Sequence, residues 1–321
     1  MNSSRNLSGR QVVNPAPLWS VLLAPVALAG FAVAAVTGDA VLAGRATGRR
    51  FAVGMAVTPL AEAARLLVAP PRTTVAPDRL LWRLGGAGVA VAAVLAVAVV
   101  PLGDRVVVDL DVGVVWFNAM EVVTWAAVWL AGWGPNALFP LVGGYRFVAQ
   151  GLAYQLPFML ALITAATGAQ SLRIADIVAA QRQLWFVVWM PVAFLVYLAG
   201  VLAFSFLGPF DYPAARDIAG GVLAETGGVD RLMLLAGRWL LLTAGAAMAV
   251  PLFLGGGLGP LLPAWVWSLV KTVAVLAVLV YLRRRLPTIR ADRYVELAWV
   301  VLIPVAVAQA LVPALVVLGR G

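Results

Sequence analysis

Eight runs of roughly twenty apolar residues, at about 17–37, 84–102, 113–132, 147–167, 184–207, 232–254, 264–282 and 296–318, dominate this 321-residue chain. A helix rising about 1.5 Å per residue needs a run of that length to cross the ~30 Å hydrocarbon core of a bilayer. No water is present there to bond the backbone, so a spanning segment closes its hydrogen bonds within itself. The expected fold is an all-α polytopic membrane protein with about eight transmembrane helices plus short interfacial helices. It forms one integral membrane domain over 1–321, with residues 1–16 as an N-terminal tail. Composition points the same way, with 63% hydrophobic and 12% charged residues. So few charges would leave a soluble enzyme of this size largely uncovered. The first run reads as a span, because no small-residue cleavage site precedes a polar mature segment.

The gaps differ in charge. Arg45, Arg49, Arg50, Arg65, Arg72, Arg79 and Arg83 lie between the first two runs, and Arg283, Arg284, Arg285, Arg290 and Arg293 between the last two. The second gap is acidic (Asp104, Asp109, Asp111), and GGGLGPLLP carries no charge. The positive-inside rule places the Arg-rich gaps in the cytoplasm and, with eight spans, both termini outside. Arg5 and Arg10 pull weakly against this. The expected location is the inner (plasma) membrane. The net charge of +9 is a topology signal here, so the lipid bilayer is an expected partner and nucleic acid is not. Two gaps read as interfacial helices, one starting at a Thr58 cap with Pro59 in the first turn, the other spanning Ser171 to Gln183 with Ser171 as cap.

The chain contains neither Cys nor His. That excludes thiolate chemistry, iron–sulfur ligation and the common zinc sites. No Walker loop, dinucleotide fingerprint or metal-ligand cluster is present, so no cofactor is expected to be ligated and the isolated chain is not expected to be catalytic. Nothing repeats as an inverted pair, which argues against a stand-alone secondary transporter.

Ionisable residues inside apolar runs are the remaining pointers, because burying them is costly. Glu121 reads either as a proton site in a polar channel or as the structural partner of a buried Arg. Arg238 either snorkels to the interface or joins a charged axis, and Lys271, the single lysine, belongs to such an axis or to a plain ion pair. Arg146, at the opening of the fourth run, either anchors at headgroups or lines a cavity. Gln150 and Tyr154 share a helix face as glue or cavity lining. The long gap 208–231, with Asp211, Asp217, Glu225 and Asp230, is either a partner-docking fold or a solvated loop.

Several stretches together resemble the H subunit of bacterial NADH-quinone oxidoreductase (respiratory complex I). They are TPLAEAARLL, LAGWGPNALFPLVGGYRFVAQGLAYQLP, GPFDYP, PLFLGG and LVKTVAVLAVLVYLRRRLPTIRADRYVELAWVVLIP. The resemblance covers roughly residues 18–318. It implies an eight-span protein that joins peripheral electron-transfer subunits to neighbouring membrane subunits, shares a quinone chamber with quinone as substrate, and begins a polar axis for protons. Carried over position by position, it implies a quinone chamber or docking loop at Arg45, Glu62, Arg65, Arg146, Gln150, Phe210, Asp211, Arg283, Arg290 and Asp292. The candidate proton or charge axis is Glu121, Gln155, Asp217, Glu225, Arg238 and Lys271; of these Lys271 matches the family pattern, while Glu121 falls where that pattern is usually small and polar.

The departures fall among the charges. The family's Glu-Arg-Arg is Asp39-Ala40-Val41, with Arg45 retained. Its Tyr-Glu-Ile-Pro carboxylate is Gln155. Its Ala-Glu-Thr-Asn-Arg is Ala203-Phe204-Ser205-Phe206-Leu207. The acid-rich stretch after Pro213 is thinned to Ala214-Ala215-Arg216-Asp217, and a family Glu falls at or next to Arg238. DIAGGVLAETGG is closer to the loop of membrane-bound hydrogenase and formate hydrogenlyase relatives, so a membrane anchor of such a complex is one alternative. A structural subunit without proton coupling is another. A lipid-facing carboxylate costs about 2.5 kcal/mol or more. Glu121 is therefore expected to face the bundle, with Lys271, Arg146 or Arg238 as its partner and a Glu121–Lys271 pair as the residual charged site.

Overall fold

The computed structural model describes residues 13–17, 19–48, 53–214, 217 and 220–319. Arg5, Arg10, Arg49, Arg50, Ala215 and Arg216 lie outside the described residues. Twelve α-helices carry the described chain: α1 Ser20–Ala46, α2 Val53–Val68, α3 Arg79–Val97, α4 Gly113–Trp133, α5 Leu138–Ala169, α6 Ile174–Ala180, α7 Phe186–Trp189, α8 Pro191–Phe204, α9 Gly228–Phe253, α10 Ala264–Arg285, α11 Ala291–Leu297 and α12 Ile303–Leu318. A π-helical turn, Ala298–Leu302, joins the last two into one rod. The described strands are a two-residue parallel pair, β1 Asn14–Pro15 with β2 Arg105–Val106. Seven of the helical segments are long and apolar enough to span a membrane, and the chain is a multi-pass membrane protein.

The bundle is built around α5 and α9, the most buried spans, while α1 and the final rod bury least. α3 lies along α4 and α9, and α5 packs on α4, α8 and α12. Small residues set these distances, since helices in lipid associate through close packing and not through a difference in apolarity from the solvent. A Cβ on Gly85 of α3 would come within 2.2 Å of the Ala131 backbone nitrogen on α4.

Several elements differ from the sequence expectation. The fifth run folds as α7 and α8, not as one continuous helix. Pro191 disfavours helical geometry at Met190, whose φ is −124° and ψ 45°. Together α7 and α8 cover Phe186–Phe204, so the run is a broken helix. Thr58 caps nothing: α2 begins five residues earlier, and the Thr58 hydroxyl donates back to the Gly54 carbonyl at 2.7 Å. Ser171 does not cap α6 either; Arg173 holds the cap position, and the Ser171 hydroxyl accepts from the Arg173 amide (3.1 Å) and donates to Asp176 (2.7 Å). α5 starts at Leu138, so Arg146 sits in its third turn and not at its opening. Gly143 survives inside that helix because the Gly221–Val222 backbone fills the space a side chain would take.

Candidate functional site

Two sets of polar groups stand out. The first gathers where α1 and α10 end. Asp39, buried near the end of α1, takes a bidentate grip from Arg284 (Nε to Oδ1 2.6 Å, Nη2 to Oδ2 2.5 Å) and an ion pair with Arg283. The Arg283 guanidinium also lies over the Trp239 ring, 5.2 Å from its centroid. Beside it, the loop 208–214 is sewn onto the segment after α10. The Ile289 amide donates to the Pro209 carbonyl (2.8 Å), Thr288 Oγ1 to Asp211 (3.1 Å), and the Phe210 and Tyr294 rings stand 4.4 Å apart. From α5, Gln150 donates to the carbonyls of Ala203 (2.8 Å) and Phe210 (3.1 Å). Arg146 binds the Gly220 carbonyl (2.8 Å) and Asp217 (3.2 Å), and its guanidinium covers the Tyr212 ring at 4.0 Å. GPFDYP and RRRLPTIRAD therefore form one surface held from below by α5.

Other expected members make no contact with its buried polar groups. Arg290 and Asp292 pair with each other at 3.3 Å, with side chains 70% and 61% exposed. Glu62 and Arg65 form their own pair along α2 (2.6 Å), and the Arg65 guanidinium holds the Glu62 carboxyl below its ordinary value. Arg45 is exposed in the last turn of α1. Glu225 is partly buried and makes no ion pair with a described residue.

The second set lies inside the bundle. Glu121 on α4 is 3% exposed. Its Oε1 accepts from the Tyr154 hydroxyl of α5 and from Trp125 Nε1 (2.7 Å). Its Oε2 has no hydrogen-bond partner among the described residues. Gln155 of α5 donates at 3.0 Å to Asn118, one turn before Glu121 on α4, and its own buried Oε1 is likewise unpartnered. The expected Glu121–Lys271 pair does not form. Lys271 points instead into the end of α9, where Nζ donates to the carbonyls of Leu254 (2.7 Å), Gly256 (3.0 Å) and Leu258 (2.7 Å). Trp185 and Trp267 present ring faces to it at 4.1 and 5.6 Å. Gly255 and Gly256, at φ of 71° and 56°, adopt the left-handed backbone of this carbonyl cup. Nor does Arg238 snorkel: it is buried, donates to the Phe206 carbonyl and lies over the Phe206 ring at 4.8 Å. Arg146, engaged with Asp217, is no partner of Glu121 either.

Two contributors escape a reading of the sequence. Asp39 carries only the trace of a motif, and its partner Arg284 lies 245 positions away. Gln181 gives no signal, yet its buried amide bonds the Pro251 carbonyl (2.7 Å) and accepts from the amides of Phe186 (3.2 Å) and Gly255 (2.9 Å), which steadies the Lys271 cup. Among the described residues no group of His, Cys, Asp and Glu could hold a metal ion.

The chain matches the NADH dehydrogenase family over residues 19–314. It belongs to that family. Among similar proteins are the second H subunit of NADH-quinone oxidoreductase from Geobacter sulfurreducens, 36% identical over 265 residues (79% of this chain, 80% of the relative), and the first from Geobacter metallireducens, 34% identical over 273 residues (82% and 83%). The corresponding H subunit of Syntrophotalea carbinolica is 32% identical over 279 residues (84% of each). Gln155 of α5 bonds Asn118, three residues before Glu121 on α4.

Proposed function

We propose that this chain works as the H-type membrane subunit of a complex I-like NADH-quinone oxidoreductase in the plasma membrane, with both termini outside. It holds no redox centre and does no chemistry alone. The joined GPFDYP and RRRLPTIRAD surface docks the peripheral electron-transfer arm, and the Asp39–Arg283–Arg284 cluster beside it helps bound a quinone chamber. Glu121 exchanges protons at the α4–α5 seam.

The observation that carries this reading is the knitting of two distant segments into one surface at the arginine-rich end. Arg290 and Asp292, exposed and paired only with each other, leave charge at this end open to a partner. Asp211→Ala combined with Arg290→Ala is expected to lower recovery of the peripheral subunits with the tagged chain. Full recovery of the complex would defeat the docking assignment. Recovery of a nickel-iron protein in place of an NADH-oxidising one would replace it with the hydrogenase-type reading.

A further inference from the structure

Arg72, between α2 and α3, and Arg79 and Arg83, in the first turns of α3, are three arginines that the proposed function does not use. Arg72, Arg79 and Arg83 line a recess of about 190 Å³ with Trp82 and Asp230. None of the three arginines makes an ion pair with a described residue. Trp82 is only 4% exposed, yet its indole N–H has no hydrogen-bond partner among the described residues. A buried donor left unpaired costs free energy that a bound acceptor removes. Pro71, Arg83 and Asp230 also line a second cavity of about 400 Å³, which continues along α3 and α9 past Gly86, Ala87, Val229 and Met233. One end of the combined recess is thus cationic and the other apolar. Three arginines against Asp230 leave a surplus of positive charge at the mouth.

The recess is preformed. The Thr74 hydroxyl donates to the Pro135 carbonyl, and the Asp78 amide bonds the Gly134 carbonyl at 2.8 Å. The Asp78 carboxylate caps α3 through the Leu81 amide at 3.0 Å. Leu80 and Leu84 are exposed on the same helix, as residues facing lipid would be.

We propose that this recess binds one anionic phospholipid, with its phosphate against Arg72, Arg79 and Arg83, and an acyl chain along Gly86, Ala87 and Met233. Arginine suits the phosphate because its planar fork bonds two oxygens at once. A free phosphate would satisfy the mouth but leave the apolar cavity without an occupant.

The test is native mass spectrometry of the full chain in detergent, titrated with dioleoyl phosphatidylglycerol, dioleoyl phosphatidylcholine or inorganic phosphate. Phosphatidylglycerol should be retained over phosphatidylcholine, and millimolar inorganic phosphate should not displace it. Each arginine near an anionic lipid is worth about five-fold in binding, so Arg79→Gln with Arg83→Gln should weaken retention about thirty-fold. Asp230→Asn should tighten it about five-fold, a gain that misfolding cannot imitate. Equal retention of the two lipids, or unchanged binding in both variants, would overturn the proposal. Displacement by phosphate alone would reduce the recess to a free-anion site. Cross-linking from position 80 to an acidic segment of a neighbouring protein in the assembled complex would assign it to a protein partner.

Discussion

Lys271 and Glu121 are both charges buried inside the bundle, 6% and 3% exposed, and neither has a counter-ion among the described residues. They are housed differently. The lysine spends all three of its donors on carbonyls, two aromatic faces cover it, and the negative end of α9 supports it. Nothing about the ammonium is left unsatisfied, and the loop 255–263, which has no charge of its own, closes around it. The glutamate is satisfied at one oxygen only, by Tyr154 and Trp125, while the other faces the seam bare. A complete cage is a structural device that gains nothing from change. An incomplete one marks a place where a proton or a water has something to bind.

Removal of the complete cage should have the largest effect. Lys271→Met leaves three buried carbonyls without their donor, and the expected loss is about 3 kcal/mol or more of stability. Thermal unfolding of the purified chain in detergent reads it. A melting point unchanged from wild type would show that the cup closes without its cation, and the contrast with Glu121 would collapse.

The next effect is at the half-satisfied site. Tyr154→Phe removes a hydroxyl that donates to an acid, which is worth about 1.5–3 kcal/mol, and leaves the aromatic packing against Trp125 in place. The same unfolding measurement should therefore show a loss smaller than that of Lys271→Met. An equal loss would mean that the two cages are energetically alike.

Glu121→Gln should change stability by about 1 kcal/mol or less, because the amide oxygen can still accept from Tyr154 and Trp125. Its effect is expected in function: quinone reduction by the assembled complex persists, while proton movement in sealed vesicles falls. If both rates match wild type, Glu121 is structural and the chain is a subunit without coupling at this seam.

The smallest effect belongs to a charge outside the bundle. Glu62 pairs with Arg65 on the surface of α2, and this holds its folded-state value below the ordinary 4.5. The pair's contribution is complete above that unfolded value and disappears as pH falls through the lowered one. Exposed helix pairs are worth a few tenths of a kcal/mol, so Glu62→Gln should barely shift the melting point at neutral pH. A large shift would show that α2 rests on this pair and not on its packing against α1 and α9.

Much of this architecture is legible in the chain itself. Hydropathy and run length are local quantities, and the bilayer imposes a length that local sequence must meet, so the apolar runs and the membrane class follow without any contact being known. The order of GPFDYP, PLFLGG and RRRLPTIRAD carries the family for the same reason. Local signals also mislead where a neighbour outranks them. Thr58-Pro59 has the composition of a helix start, yet α2 runs through it, and the Thr58 hydroxyl donates to the Gly54 carbonyl from inside the helix.

Residue order alone thus settles the membrane class, the approximate helical runs and the family. Which charges meet is settled by packing. Asp39 finds Arg283 and Arg284 across 244 and 245 positions because α1 and α10 end side by side. Lys271 and Glu121, the natural pair on paper, are each solvated by something else. The physical reason is that their partners are backbone carbonyls, a phenol and an indole. Carbonyls occur at every residue, and these rings carry no charge to mark them. Which of them turns inward depends on where α9 ends and how α4 lies against α5.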